Sequence, residues 1–285
     1  MPDPILTRKD YLALRKQVCA DVTKIEALER AYMNFLVKVT VNVASQLEID
    51  FGKANSLRPF WSHYAPKQRG RAPTGSSSPW SEVGEKSLSS NLIRAIGNAN
   101  DGISFPGLPF GGDVRFATPD AFIHFDIKLT GPNDRPDEVV APPQQVSGDG
   151  AEWDGAVINN RWLVKGSRAK MPFQPKLPPF YVLDGAVQIC LTYFLKAVYI
   201  VQSFGIQPLH YMEIICVPNG LLMFDGPRYA DTPGLLIPGK DDRKKREDDK
   251  RTRIRLVPLA GLGGKWRCMK IELDAGKWRA SPRTG

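Results

Sequence analysis

Asp126 and Lys128 stand two residues apart in Phe122-Ile123-His124-Phe125-Asp126-Ile127-Lys128-Leu129, which alternates apolar and polar residues with the period of a strand. Side chains two apart on a strand leave the same face, so a carboxylate and an ammonium project side by side. A carboxylate so placed can hold a divalent cation. An ammonium beside it can orient a water or stabilise charge on a phosphoryl group. A solvated salt bridge on an edge strand gives the same pattern. The alternation assigns Ile123, Phe125, Ile127 and Leu129 to a core face and Phe122, His124, Asp126 and Lys128 to the other.

A cation needs more oxygen ligands than one aspartate supplies. Pro119-Asp120 is the obvious source of a second acid. Six strand residues, however, separate Asp120 from Asp126 by about 20 Å, and a Pro-Asp pair suits a turn. Folding the chain at that turn into an antiparallel hairpin sets Asp113 opposite Asp126, Val114 opposite Phe125 and Phe116 opposite Ile123. The hairpin buries an apolar face and gathers two carboxylates and a lysine on the other. Opposed carboxylates repel unless a cation lies between them, which argues for a metal.

The spacing predicts a helix that begins at Ser81 and stops at Gly97, with Leu88, Leu92 and Ile96 on its buried face. Glu85 shares that face. A buried carboxylate needs a partner, which a metal, a metal-held water or a lysine could supply. A glutamate favoured by the helix N-terminus is an equal reading.

Around these elements, residues from about Arg8 to Leu47 read as one helix without Pro or Gly. Asn55 to Trp80 reads as a long, ordered surface loop carrying Arg58, Lys67, Arg69 and Arg71. Strand-like pieces follow at 103–109, 112–118 and 121–129, with further apolar segments at 179–203 and 210–224. Periodicity leaves 187–203 open between a helix and a buried strand. The expectation is α/β: a single domain over 1–285 with a central mixed sheet flanked by helices. It comprises the helix at about 8–47, a core at about 80–225 and a charged ribbon at about 238–256.

The run Lys240–Arg255 holds nine basic and five acidic residues and ends with Arg251, Arg253 and Arg255 alternating with Thr252, Ile254 and Leu256. Arginines two apart on a strand are about 6.6 Å apart, near two base-pair steps of roughly 3.4 Å each. Arginine pairs bidentately with guanine, and aspartate accepts from the cytosine amino group, so such a ribbon suits reading of G·C pairs. A flexible solvated loop is the plain alternative. The net charge of +9 in 285 residues also suits an anionic partner. No run of eighteen apolar residues suggests a membrane span, and the N-terminus does not read as a secretory signal. Four scattered cysteines suit buried thiols, and three separated histidines disfavour histidine-rich metal sites and a serine triad.

Several segments together resemble the BglI-type restriction endonucleases of the PD-(D/E)XK nuclease superfamily. They are Ala54-Asn55, Pro59-Phe60-Trp61, Arg69-Gly70, Pro79–Lys86, Gly107-Leu108-Pro109, Phe125–Lys128, Gln145–Gly148, Val217–Gly220 and Pro238–Arg243. They keep their order over about residues 50 to 256. The resemblance implies two aspartates, a lysine and a glutamate around divalent metal, here Asp113, Asp126, Lys128 and Glu85. The Ile127 backbone carbonyl would join the two aspartates on Mg²⁺. It carries the family's base-reading residues onto Lys240, Asp242, Arg251 and Arg253. The implied enzyme is a homodimer that cuts double-stranded DNA at GCC and GGC half-sites around an unread spacer and leaves 3′ overhangs. It would work in a prokaryotic cytoplasm beside a companion DNA methyltransferase. Two departures stand out: Gly112 precedes the first acid where the superfamily usually has proline, and the segment between the aspartates is shorter. A repair or junction-resolving nuclease of the superfamily, or a DNA-binding regulator without catalysis, are the other readings.

Overall fold

The computed structural model describes residues 7–56, 80–100, 102–108, 111–131, 134–148, 152–153, 156–157, 162–165, 170–173, 175–200, 202, 208–223, 229, 232–239 and 251–284. The expected loop at 57–79 lies outside them.

The N-terminal helical segment is two helices, α1 (Arg8–Cys19) and α2 (Val22–Ser56). Thr7 opens α1 with a capping box, accepting from the Asp10 amide while Asp10 accepts from the Thr7 amide at 3.1 Å. At Ala20-Asp21 the chain turns, and the Asp21 carboxylate accepts the Lys24 amide at 3.1 Å. The break is made by a side-chain cap, so neither Gly nor Pro marks it. The helix α3 (Trp80–Ala99) runs through Gly97 instead of stopping there. Leu88, Leu92 and Ile96 are fully buried, and that packing outweighs the ~1 kcal/mol helix penalty of glycine.

The strands are β1 (Val114–Ala117), β2 (Ala121–Thr130), β3 (Glu138–Ala141), β4 (Glu152–Trp153), β5 (Ala156–Val157), β6 (Trp162–Lys165) and β7 (Lys170–Phe173). They continue with β8 (Phe180–Leu183), β9 (Ala186–Tyr199), β10 (Leu209–Val217), β11 (Leu236–Pro238), β12 (Thr252–Arg255), β13 (Cys268–Asp274) and β14 (Lys277–Pro282). The main sheet runs β1-β2-β9-β10-β13-β14, with β8 also on β9. The β2–β9 pair is parallel and the others are antiparallel, so the sheet is mixed as expected. Residues 187–203 resolve as strand through Tyr199, and the centre of β9 is buried between two neighbours. The piece at 103–109 is no strand among the described residues; Ser104 bridges Ala117 singly. A second sheet, β11-β12-β3, holds the end of the charged ribbon, and β4–β5 and β6–β7 are separate hairpins. Helices α2 and α3 pack on the main sheet. No described helix is long and apolar enough to cross a membrane. All four cysteines are free thiols, and three of them are buried.

One polar cluster ties α2 to the far side of the sheet. Glu29 and Arg267 are both fully buried, and Arg267 Nη2 donates to Glu29 Oε2 at 2.7 Å. The Asn219 amide donates to Glu29 Oε1 at 2.6 Å, and Tyr229 Oη accepts from Arg267 at 2.8 Å. The guanidinium also stacks over Trp266, 4.3 Å from its ring centre. Removing one partner of a buried ion pair strands the other charge. Glu29→Ala should therefore cost ~3–5 kcal/mol, seen as a lower denaturation midpoint in urea, while an exposed control such as Lys38→Ala should change it little.

Candidate active site

The site grows from the β1–β2 hairpin. Its turn is Thr118-Pro119-Asp120-Ala121, closed by the Thr118 amide donating to the Ala121 carbonyl at 2.8 Å. Asp120 lies at this corner and accepts from the Tyr32 hydroxyl at 2.5 Å and from Thr118 Oγ1 at 3.1 Å. It pins the turn to α2. The register pairs Val114 with Phe125 and Phe116 with Ile123, as the sequence arithmetic requires.

Just before β1, Gly112 crosses close over β2. A Cβ there would lie 2.9 Å from both the Phe125 amide nitrogen and its carbonyl carbon, tighter than side chains allow. Glycine at this position lets the chain approach, and the Gly112 amide donates to His124 Nδ1 at 3.4 Å. The next residue, Asp113, accepts the Ile127 amide on Oδ2 at 2.8 Å. Asp113 is itself exposed, whereas Asp126 is 1% exposed.

Asp126 forms an ion pair with the partly exposed Lys128. Gln145 bridges the two, accepting from Lys128 Nζ at 2.8 Å and donating to Asp126 Oδ1 at 2.5 Å. Burial, joined by the negative charge of Asp113, pushes the Asp126 carboxyl up to about 6 against the pull of Lys128 and Gln145. The ion pair is made by the buried Asp126 Oδ2, so each carboxylate oxygen faces one donor, Lys128 on Oδ2 and Gln145 on Oδ1. These two acids supply the hard oxygen donors that Mg²⁺ prefers, and the repulsion of Asp126 by Asp113 is what a cation between them would relieve. Among the described residues no three His, Cys, Asp or Glu side chains form a metal-holding group. A cation here would draw its remaining ligands from backbone, water or phosphate.

The polar face of β2 is not open along its length. Phe122 and His124 are buried, with the Phe122 ring 4.7 Å from that of Tyr181, and His124 Nε2 meets Tyr181 Oη at 3.0 Å. Burial and nearby Arg115 hold His124 neutral, down to about 3. The cover comes from Tyr181 of β8, and β2 itself is an inner strand, flanked by β1 and β9, not an edge.

Glu85 is half-buried near the start of α3. The preceding Gly84 packs so tightly on Leu129 that a Cβ there would overlap the leucine side chain. Glu85 thus lies on a helix pressed against the end of β2, but it does not complete a three-acid group with Asp113 and Asp126. Lys240 and Asp242 lie outside the described residues. Arg251 and Arg255 are exposed, but Arg253 is 8% exposed and donates from Nη1 to Glu138 Oε2 at 2.6 Å. The even arginine face read from the ribbon is therefore uneven, because β12 is the middle strand of its sheet.

Sequence reading missed Gln145 and Glu138. Gln145 belongs to the Gln145–Gly148 segment, which carried the resemblance without a role. That segment meets another, Val217–Gly220: the Gly220 amide donates to Ser147 Oγ at 3.2 Å, and Gly220 packs on the Gly148 backbone.

Two acids and a lysine thus lie on a hairpin at one margin of a mixed sheet, with helices packed on it. The model of the restriction endonuclease BglI family matches residues 7–271. The type II restriction enzyme BglI of Bacillus subtilis is 35% identical over 91% of this chain and 94% of its own. The crystal structure of BglI bound to its DNA recognition sequence matches with a TM-score of 0.80 and 33% identity, over 93% of this chain and 96% of that one. Tetrameric SfiI bound to cognate DNA shares the fold, with a TM-score of 0.57 and 13% identity over 92% and 95% of the two chains. The chain belongs to the BglI family of restriction endonucleases, which are site-specific deoxyribonucleases.

Because the folded Asp126 titrates above its ordinary 3.8, the native state binds the extra proton between that value and about 6. Stability should fall as pH rises through this window and stay flat above it. Asp126→Asn removes the cost of the charge, on the order of 3 kcal/mol from the size of the shift. In EDTA the variant should melt above the parent at pH 8, and the gap should close toward pH 4. An equal gap at both pH values would contradict this.

Proposed function

We propose that this protein hydrolyses double-stranded DNA, in the presence of Mg²⁺, at an interrupted GC-rich palindrome resembling GCC-spacer-GGC, and that its staggered cut leaves 3′ overhangs. The observation that carries the reading is the cluster at the hairpin: Asp113 on the Ile127 amide, Asp126 beside it, and Lys128 joined to Asp126 through Gln145. Asp113, Asp126 and the Ile127 carbonyl would hold Mg²⁺, which when bound supplies Lewis-acid stabilisation of the developing phosphoryl charge. Asp113 and Asp126 fix the direction from which the scissile phosphate approaches. Lys128, three donors on a short tether, orients the attacking water or shields the negative charge that builds at the phosphate. Gln145 keeps Lys128 and Asp126 at their mutual distance. Glu85 supports the set from α3.

Lys240, Asp242, Arg251 and Arg253 read base edges in the major groove. A palindromic target matches a twofold protein, so the working unit is a homodimer with one active site on each strand. Such a cutter needs a companion methyltransferase to guard the host's own sites, and both would share the cytoplasm of a prokaryotic cell. The relatives support this reading: BglI carries the name of a type II restriction enzyme, and its crystal structure contains its recognition sequence.

The first test is cleavage of a plasmid of known sequence followed by mapping of the ends. Asp126→Ala and Lys128→Ala should each lower the rate by ~10²-fold or more. Asp120→Ala, which loosens only the corner, should leave most of it. Loss of cleavage in folded Asp120→Ala as complete as in Asp126→Ala would move the second acid to Asp120. Replacing Mg²⁺ with Ca²⁺ should retain specific binding and stop turnover, and vigorous cutting in EDTA would refute the role of the acids.

A further inference from the structure

Arg253 does not stand free on its strand. Its guanidinium is held from one side by Glu138 of β3, whose Oε2 accepts from Nη1 at 2.6 Å. The other carboxylate oxygen, Oε1, accepts from Arg135 at 3.0 Å. Burial raises the Glu138 carboxyl, but Arg253 and Arg135 outweigh it and keep the group below its ordinary value, so it is an anion at neutral pH. On the opposite side, Arg253 Nε is buried without a hydrogen-bond partner. A buried donor left unpaired is costly, and where one persists in a native structure an incoming acceptor is a physical explanation.

A guanidinium presents two-nitrogen edges to a planar acceptor. With Nη1 committed to Glu138, the edge left whole is Nε with Nη2. Guanine O6 and N7 need such a pair of parallel donors.

Glu138 is in turn fixed by the main sheet. Lys196 of β9 is 1% exposed and donates its three protons to the carbonyls of Arg135 at 3.2 Å, Pro136 at 2.5 Å and Glu138 at 3.1 Å. Lys196 is the register partner of Lys128 on the parallel strand β2. A cavity of about 160 Å³ is lined by Lys128, Arg135, Glu138, Lys196 and Arg253 among others. The lysine of the cutting site and the arginine of the ribbon thus border one space.

We infer that Glu138 is a specificity-positioning residue: it holds Arg253 by Nη1 and so leaves the Nε–Nη2 edge uncommitted for one guanine of the target. This rests on the reading of Arg253 as a base-contacting residue. Glu138 itself touches no base. Its contribution is orientation, and Lys196 keeps its backbone in place relative to Lys128.

The test uses the full-length protein, with binding measured in Ca²⁺. The duplexes are the enzyme's own mapped site, copies with one G·C pair changed to A·T at each half-site position in turn, and a scrambled sequence. Arg253→Ala should erase discrimination at one base pair. Glu138→Gln should lower discrimination at that same pair by about tenfold and leave the other positions alone. Its affinity for scrambled DNA should hold or rise, since a negative charge has been removed near a polyanion. In the Arg253→Ala background, Glu138→Gln should change nothing further at that pair. Glu138→Asp keeps the charge on a shorter arm and should lose the same pair to a smaller degree, which carries the test should Glu138→Gln fail to fold. A Glu138→Gln variant that weakens every duplex equally, or keeps full discrimination where Arg253→Ala loses it, overturns the inference and leaves the base-reading role of Arg253 standing. Equal loss on all duplexes by Arg253→Ala would overturn both together.

Discussion

The parallel pairing of β2 with β9 is the constraint on which the rest depends. It makes β2 an inner strand, and so removes Asp126 from water. A carboxylate in that position is stable only if something compensates its charge. Lys128 and Gln145 do so in part, and Asp113 works against them from the neighbouring turn. The protein keeps this unfavourable arrangement at the end of a strand whose lower half is packed with Phe122, Ile123 and Phe125. Those residues supply the stability, and the hairpin above them holds two acids near each other.

The parts of this arrangement that are local along the chain were legible in the sequence. The period-two alternation and a single Pro-Asp corner suffice to set the β1–β2 register, because a slip by one residue would turn every apolar side chain outward. The pairing of Asp113 with the Ile127 amide follows from that register. What covers the site was not legible. Tyr181 over Phe122, Gln145 between Asp126 and Lys128, and Glu138 on Arg253 are contacts between residues far apart in sequence, and no spacing rule encodes them. The break between α1 and α2 was hidden for a different reason. It is made by the Asp21 cap, and an aspartate among charged helix residues carries no mark of its own. The burial of Arg253 was missed because alternation along β12 says nothing of the strands on either side.

Beneath the site, the segments that repeat the family's residues turn out to be packing partners. Ser147 accepts the Gly220 amide, and Asn219 donates to the carbonyls of Pro179 at 2.8 Å and Cys190 at 2.7 Å. The Asn219 amide reaches Glu29, and Glu29 reaches Arg267. A buried chain of polar contacts thus runs from the loop bearing Gln145 to α2 and the strands at the far end of the sheet.

Gly112 has a consequence for how signatures of this superfamily are read. A letter pattern names residues, but what the first acid needs is a backbone that can lie almost against the backbone of Phe125. A proline ring would occupy the space that the strand already fills, and in this chain the letters Pro-Asp stand at a corner instead. A scan keyed to those letters would anchor on the corner, at Asp120, and pass over the aspartate that lies on the Ile127 amide. What Gly112 supplies is a short separation between two stretches of main chain, a distance that no pattern of letters records.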